Sequence, residues 1–376
     1  MTGIVILGST GSIGRQALEV VTGLHDHFDV LGLAAGSPSA AFAEQLAAHP
    51  GARAWTPAGR PSVDADRWAD GGLQELATLE GVDLVVVATT GMAALPAVLA
   101  ALHAGRRVAL ANKETLVIGG HLVAAALTDL GGDPLDRLRP IDSEHSAIWQ
   151  CLVGERIDEV ERLVLTASGG PFRERTPGSL DRVTPDEALT HPTWRMGPKI
   201  TVDSATLVNK AFEVIEAKWL YGLPYSKIDA VIHPQSVVHS FVEFVDGSYK
   251  AQLGLPDMRL PIQYALTYPA RLPSPTRRSS PDAWDGLTFS KLSPGAFPAY
   301  DVVRAAADAG GNRGTILNAA DEAAVAAFLA GRISFPVIGE TIAGAVDRWG
   351  NDVEPSLEEI TVLDAEIRSS LTAAFA

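Results

Sequence analysis

The chain has 376 residues, 47% of them hydrophobic and 20% charged, which is more than one ordinary core holds and implies two or three domains of a soluble globular protein. The net charge of −15 argues against nucleic acid or any broad polyanion as a partner, so an anionic substrate would need a local basic pocket. The single cysteine, Cys151, excludes an intrachain disulfide framework and a cysteine-based zinc cluster.

The opening Met1-Thr2-Gly3-Ile4-Val5-Ile6-Leu7 reads as a strand, not a signal peptide. No apolar run approaches the roughly 20 residues of a membrane span, so no membrane partner is expected and the cytoplasm is the expected compartment. Residues 1–135 alternate strand patterns (Ile4–Leu7, Val30–Ala34, Leu84–Ala88, Arg107–Ala111) with helical ones, which predicts a parallel sheet with crossover helices. Gly8-Ser9-Thr10-Gly11-Ser12-Ile13-Gly14 follows the first strand and opens a helix. Glycines there let a backbone approach a pyrophosphate at a helix N-terminus, although the spacing is GxxGxxG rather than GxGxxG and a ligand-free turn has the same composition. The second strand ends Ala34-Ala35-Gly36-Ser37-Pro38, without the acid that holds an NAD ribose. That leans toward NADP, with Gly36 and Ser37 as the donors left to hold a 2′-phosphate. Asn112, Lys113 and Glu114 follow the fourth strand at its C-terminal end, where ligands of such sheets sit, or else simply begin a polar helix.

From Arg139 the character changes. Pro140–Glu144, Leu163–Ala167, Asp229–Ile232 and Val237–Val245 read as strands of a second sheet, and Asp246-Gly247 as the hairpin turn leading to Tyr249–Leu253. Asp142 and Glu144, two apart on a strand, would share a face. Two carboxylates so close suit a hard cation, Mg²⁺ or Mn²⁺, with Glu213 a candidate third ligand; alone they are also an ordinary strand end. Ser168-Gly169-Gly170-Pro171 is either an anion nest or a plain turn. The loop His191-Pro192-Thr193-Trp194-Arg195-Met196-Gly197-Pro198 carries apolar bulk between Pro and Gly and reads as a water-excluding lid. Val202–Glu213 reads as helical from Thr206 on. It sets Asn209, Lys210 and Glu213 close to one face within an apolar surround, either as a site for an anionic, polyhydroxylated substrate or as a capped helix with a Lys210–Glu213 pair. His233 and His239 read as structural, while His145 is open to either reading. Pro269–Pro281 reads as a linker, and Tyr300–Ala309, Ile316–Ala330 and Ile338–Trp349 as helices of a small terminal domain.

Together, GSTGSIG (8–14), ANKE (111–114), IDSEHSAIWQ (141–150), SGGPFR (168–173), HPTWRMGPKITVDSATLVNKAFEVIEA (191–217), IHPQSVVHS (232–240), QLGLPDMR (252–259) and LNAADEAAV (317–325) resemble the 1-deoxy-D-xylulose 5-phosphate reductoisomerase family over essentially the whole chain. The resemblance implies an α/β chain with a Rossmann-type NADPH domain (1–135), a central α/β catalytic domain with a mixed sheet (136–268), a linker (269–295) and a C-terminal α-helical domain (296–376), assembled as a homodimer. It implies conversion of 1-deoxy-D-xylulose 5-phosphate to 2-C-methyl-D-erythritol 4-phosphate, by retro-aldol cleavage and re-addition followed by reduction, with NADPH and Mg²⁺ or Mn²⁺. By similarity, Asp142, Glu144 and Glu213 are the metal ligands. Ser143, Glu144, Ser168, His191, Ser204, Asn209, Lys210 and Glu213 meet the substrate, with His191 and Trp194 on the closing loop. Thr10, Gly11, Ser12, Ile13, Asn112, Glu114 and Gly197 touch the nucleotide, as would Lys113, Gly36 and Ser37. Catalysis then rests on Lys210, Glu213, Asp142, Glu144 and His191. Two departures stand out: Pro38 where the family often has Asn, and Asp321 for the usual Asn of its block. A plain NADP-dependent dehydrogenase, or a nucleotide-binding regulator, would have no use for three such carboxylates.

Overall fold

The computed structural model of the chain describes every residue except Pro192 and Arg195, and only the backbone of Pro177 and Ala283. Two compact units result: Met1–Thr115 with Leu122–Trp149 and Asp257–Arg277, and Leu116–His121 with Gln150–Pro256 and Arg278–Ala376.

In the first unit, β1 (Thr2–Leu7), β2 (Phe28–Ala34), β3 (Arg53–Trp55), β4 (Leu84–Val87), β5 (Arg107–Leu110) and β6 (Leu138–Pro140) form one parallel sheet ordered β3-β2-β1-β4-β5-β6. The runs Ile4–Leu7 and Leu84–Val87 are buried along their whole length, as strands covered on both faces must be. The crossovers are α1 (Ser12–Gly23), α2 (Ala40–Ala48), α3 (Gly72–Ala77) and α4 (Leu95–His103). After them come α5 (Glu114–Leu130), bent at Gly119, and the short α6 (Pro134–Arg137). This is the predicted Rossmann-type parallel sheet, and its strand order reverses direction between β1 and β4, where such sheets open a crevice for a dinucleotide.

Two expectations fail at the edge of this sheet. Pro140–Glu144 is not a strand of the second sheet: β6 stops at Pro140 and pairs with β5, and α7 (Ser143–Leu152) begins three residues later. Asp-Ser-Glu is a helix-start sequence, with acid in the first turn, and it overrides the short alternating pattern. Asp142 and Glu144 therefore flank a helix start and do not share a strand face. The strand β3 was not anticipated, being only three residues long.

In the second unit, β7 (Val160–Ala167) is followed by α8 (Pro185–Ala188), α9 (Pro198–Thr206) and α10 (Val208–Tyr221), then by β8 (Ile228–Ile232), β9 (Val238–Phe244) and β10 (Tyr249–Leu253). Next, α11 (Arg259–Thr267) belongs to the first unit. The two-residue β11 (Ser290–Lys291) completes a mixed sheet ordered β10-β9-β7-β8-β11, in which β7 and β8 are parallel. Helices α12 (Pro298–Ala309), α13 (Arg313–Leu329), α14 (Val337–Trp349) and α15 (Leu357–Ala374) close the chain. Of these, α15 was not foreseen; its buried face is thin, with only Ile360, Asp364 and Ile367 buried. Phe212, Ile215, Val303, Ile316, Phe328 and Ile338 share one core cluster, so α10 is packed into the helical layer.

The helix expected from Thr206 is α10, which begins at Val208; before it stands α9, an unforeseen helix that begins at Pro198 with Gly197 as its cap and Pro at its first position, a start signal that outweighs the β-branched residues inside. Leu207 then adopts a left-handed conformation (φ 59°) and separates α9 from α10.

Candidate active site

In the first unit, the turn after β1 is held by Gly8 and Ser9 N–H groups, which both donate to the Ala34 carbonyl at the end of β2 (2.9 and 2.8 Å). Gly14 admits no side chain, because a Cβ there would lie 2.2 Å from the Gly8 carbonyl oxygen. The exposed Gly11 precedes α1 with no side chain capping the helix, so its first N–H groups stay available to an anion. Ser9 sits below this surface, exchanging hydrogen bonds with Gln45 on α2. Gly36 and Ser37 are exposed at the end of β2, with open space where a Gly36 Cβ would stand. The same cradle thus presents backbone donors and leaves room for a pyrophosphate.

Asn112 is otherwise employed. Its buried amide nitrogen lies 3.0 Å from the Thr89 and Gly91 carbonyls and from Glu114, and its carbonyl oxygen accepts from Thr115 N–H (2.8 Å) and Thr115 Oγ1 (2.6 Å). The side chain staples the loop after β4 to the start of α5, so Asn112 can reach a nucleotide only through its backbone. Lys113, buried, donates to Asp142 at 3.0 Å. Ser143 Oγ donates to Glu144 at 2.5 Å. The first unit thus supplies two partly buried carboxylates, each steadied by a neighbour.

In the second unit, one face of α10 carries a buried polar group. Glu213 is 1% exposed and Lys210 4%. Lys210 Nζ donates to Glu213 Oε2, and Asn209 Nδ2 donates to Glu213 Oε1 at 2.6 Å. A helix-surface Lys–Glu pair would be solvated and weak; this one is buried, where its charges interact strongly. The loop after β7 meets α9 closely. A Cβ at Gly170 would stand 2.6 Å from the Ser204 carbonyl oxygen, and Gly170 takes φ +62°.

His191 joins the loop after β7 to α9. Its Nε2 lies 3.0 Å from Ser204 Oγ and 3.2 Å from Ser168 Oγ. Its Nδ1 faces Thr193 N–H at 3.1 Å and Trp194 N–H at 2.9 Å. A ring nitrogen that accepts two N–H bonds carries no proton, so the neutral ring bears its proton on Nε2. Burial also pushes the His191 ring below the ordinary imidazole value of 6.5.

Comparison with known proteins follows these motifs. Family models described as 1-deoxy-D-xylulose 5-phosphate reductoisomerase match residues 4–57 and 64–120, and models of that enzyme's C-terminal domains match residues 138–221 and 253–370. Enzymes of that name from Pelotomaculum thermopropionicum and Geobacillus kaustophilus are 48% and 47% identical, covering 98% and 97% of this chain and 97% of each relative. The chain belongs to the 1-deoxy-D-xylulose 5-phosphate reductoisomerase family. A crystal structure of DOX-P reductoisomerase with NADPH, fosmidomycin and magnesium superposes with a TM-score of 0.90 at 35% identity, covering 100% of this chain and 98% of that one. The Zymomonas mobilis reductoisomerase with NADPH gives 0.89 at 36% identity, over 100% and 99% of the two chains.

This reductoisomerase is an oxidoreductase, as its motifs implied, and its α/β architecture is the expected one. Of the substrate-binding candidates, the second unit gathers Ser168, His191 and Ser204 into one contact group and Asn209, Lys210 and Glu213 into another. Asp142, Ser143 and Glu144 stand in the first unit. Thr193, Trp194 and Met196 of the loop are half-buried, while Pro192 and Arg195 lie outside the described residues. His233 is structural: Nδ1 meets the Thr288 carbonyl (2.8 Å) and Nε2 accepts from Val237 and Val238 N–H (3.1 Å each). Lys199 and Asp203 were missed, and Asp321 was singled out only as a departure from the family's usual Asn. Lys199 and Asp203 have the readable i, i+4 spacing, but nothing local announces that Asp321 joins them.

Proposed function

We propose that Asp142, Glu144 and Glu213 hold one Mg²⁺ or Mn²⁺ ion and that Ser143, Ser168, His191, Ser204, Asn209 and Lys210 bind the substrate beside it. The enzyme rearranges and reduces 1-deoxy-D-xylulose 5-phosphate to 2-C-methyl-D-erythritol 4-phosphate with NADPH and a divalent ion, in the non-mevalonate isoprenoid pathway. The observation that carries the site assignment is this turn of α10, where the buried acid Glu213 accepts from the buried ammonium of Lys210 and from the partly buried amide of Asn209. The donor set fits a hard cation, being all carboxylate oxygen with no sulphur.

The ion, when bound, supplies positive charge to adjacent substrate oxygens, and NADPH supplies hydride. Lys210, held by Glu213, presents its remaining N–H donors to a substrate oxygen and can return a proton to it. Asn209 orients the Glu213 carboxylate. Ser168, Ser204 and the Nε2–H of His191 offer hydrogen bonds to phosphate or hydroxyl oxygens. The half-buried Trp194 helps the loop to exclude water from the cleaved fragments. Thr10, Gly11, Ser12, Ile13, Gly36, Ser37, Asn112, Lys113, Glu114 and Gly197 line the nucleotide in this reading.

The test is direct. Incubated with the substrate, NADPH and Mn²⁺, the protein should consume nicotinamide absorbance, and excess chelator should stop it. Turnover that persists after exhaustive chelation would refute the metal assignment.

Cofactor choice gives a sharper expectation. The end of β2 has no acid to repel a 2′-phosphate and no Arg or Lys to clamp it, and Pro38 has no N–H to donate. A hydrogen bond to a charged group contributes roughly 1.5–3 kcal/mol, and each ~1.4 kcal/mol is tenfold in affinity. NADPH should therefore be preferred over NADH by roughly ten- to hundredfold. Ser37→Asp should erase or invert that ratio, measured as kcat/KM with each cofactor. An unchanged ratio would mean that the 2′-phosphate is read elsewhere.

We also assign nucleotide binding to residues 1–135, catalysis and dimerisation to 136–268, a linker to 269–295 and a helical domain to 296–376. A homodimer is supported by the aromatic surface of the second sheet, where Phe241 lies between exposed Tyr249 and Phe289 (ring centroids 6.5 and 5.2 Å). Among the described residues no helix is long and apolar enough to cross a membrane, and the lone Cys151 supports a reducing cytoplasm.

A further inference from the structure

Lys199 occupies an unusual place for a lysine. It is the second residue of α9, at the positive end of the helix dipole, where a cation is disfavoured. Its Nζ lies 2.7 Å from Asp203 Oδ2, one turn along the same helix, and 2.6 Å from Asp321 Oδ2 on α13. Asp203 is 2% exposed and Asp321 0%. The ammonium also stands 5.3 Å from the centre of the Phe212 ring, and Phe212 immediately precedes Glu213. With both acids buried and the Lys199 side chain 30% exposed, such a cluster yields little net stability, since the desolvation of the acids offsets most of the attraction; what it does provide is one permitted arrangement of the elements it joins.

Those elements carry the proposed substrate contacts. The helix α9 starts where the loop from His191 to Gly197 ends, and Ser204 follows Asp203 directly. Asp321 comes from a helix over a hundred residues later, packed in the same core as Phe212. Val202 and Ala205 pack α9 into the same core, but the intrahelical Lys199–Asp203 pair does not tie its first turn to α13. The third member fixes it.

We infer that Lys199, bridged between Asp203 and Asp321, is a positioning residue for the reaction: it pins the first turn of α9 to α13 and so sets Ser204 and the end of the His191–Gly197 loop for substrate. This rests on the reading of Ser204 and His191 as substrate contacts.

The experiment uses the full-length enzyme with 1-deoxy-D-xylulose 5-phosphate, NADPH and Mn²⁺. Wild-type turnover is measured first, because its absence would overturn the functional reading and not this inference. Asp321→Asn keeps shape and an acceptor oxygen but removes the charge that ties the two helices. It should raise KM for the substrate several-fold and KM for NADPH much less, since Gly197 is the one proposed nucleotide contact beside this turn. Asp203→Asn removes only the intrahelical partner and should raise the substrate KM less. A lowered melting temperature with both KM values at the wild-type level would show a structural pin without a positioning role, and would overturn the proposal. So would an equal rise for both cofactor and substrate. Should Asp321→Asn not fold, Lys199→Gln carries the same test with the same expected split, and the same KM outcomes overturn it.

Discussion

Glu213→Gln is expected to lower kcat at least about 100-fold at saturating Mg²⁺, the scale found when one group that stabilises developing charge is removed. The substitution keeps the shape of the side chain and removes one of three negative charges from the proposed ion site. It has a second consequence that the α10 geometry makes visible. Lys210 is buried against Glu213, so the neutral amide weakens a buried ion pair, and breaking such a pair from one side costs up to roughly 3–5 kcal/mol. The melting temperature should therefore fall, while NADPH, whose proposed contacts do not include Glu213, should still titrate normally. Kinetics at saturating Mg²⁺, a thermal melt and an NADPH titration separate these effects. Near-normal turnover at saturating Mg²⁺ would show that Glu213 is not a ligand.

His191→Asn and His191→Gln should fail in different ways. The carbonyl oxygen of Asn stands near the position of Nδ1 and can still accept the Thr193 and Trp194 N–H groups. It cannot reach Ser168 or Ser204 as Nε2 does. The amide of Gln does the reverse. If the Nε2–H donates to a charged substrate oxygen, its loss costs about 1.5–3 kcal/mol, so kcat/KM for Asn should fall roughly ten- to hundredfold. Gln should retain more of the substrate affinity but turn over more slowly, because the loop backbone has lost its cap. Identical losses in the two variants would argue against separate roles for the two nitrogens. The same geometry gives a pH dependence. The folded-state pKa is depressed below 6.5, so the folded form favours the neutral ring. The stability of the capped loop is thus complete above pH 6.5 and is lost as pH falls through the lower folded value. Protonated Nδ1 cannot accept, so KM for the substrate should rise on the acid side, and the Asn variant should lack that rise.

Much of the fold was legible because its signals are local. Ile4–Leu7 and Leu84–Val87 are unbroken apolar runs next to glycine turns, and a strand buried on both faces reads that way wherever it lies. Asn209, Lys210 and Glu213 were placed together because a helix brings i, i+1 and i+4 together without help from the rest of the chain. The GSTGSIG turn was readable from its order after a strand and before a helix.

Errors came where two local patterns compete. Pro140–Glu144 alternates like a strand, yet Asp-Ser-Glu also starts a helix, and tertiary context chose the helix. The left-handed Leu207 between α9 and α10 has no sequence signature, because leucine seldom takes that conformation and only the surrounding packing holds it there.

By itself the amino-acid order determined which chemistry the chain can perform: a glycine cradle for a dinucleotide, carboxylates suited to a hard ion, and a lysine and amide beside an acid. Only the tertiary structure decided which polar groups are occupied and which remain for ligands. It spends the Asn112 amide on Thr89, Gly91 and Thr115, commits Nδ1 of His191 to the loop backbone, and brings Asp321 to Lys199 across more than a hundred residues. Hydrogen bonds and ion pairs depend on distances of a few ångströms between atoms far apart in the chain. Periodicity cannot supply those distances, because they arise from the packing of whole helices and sheets.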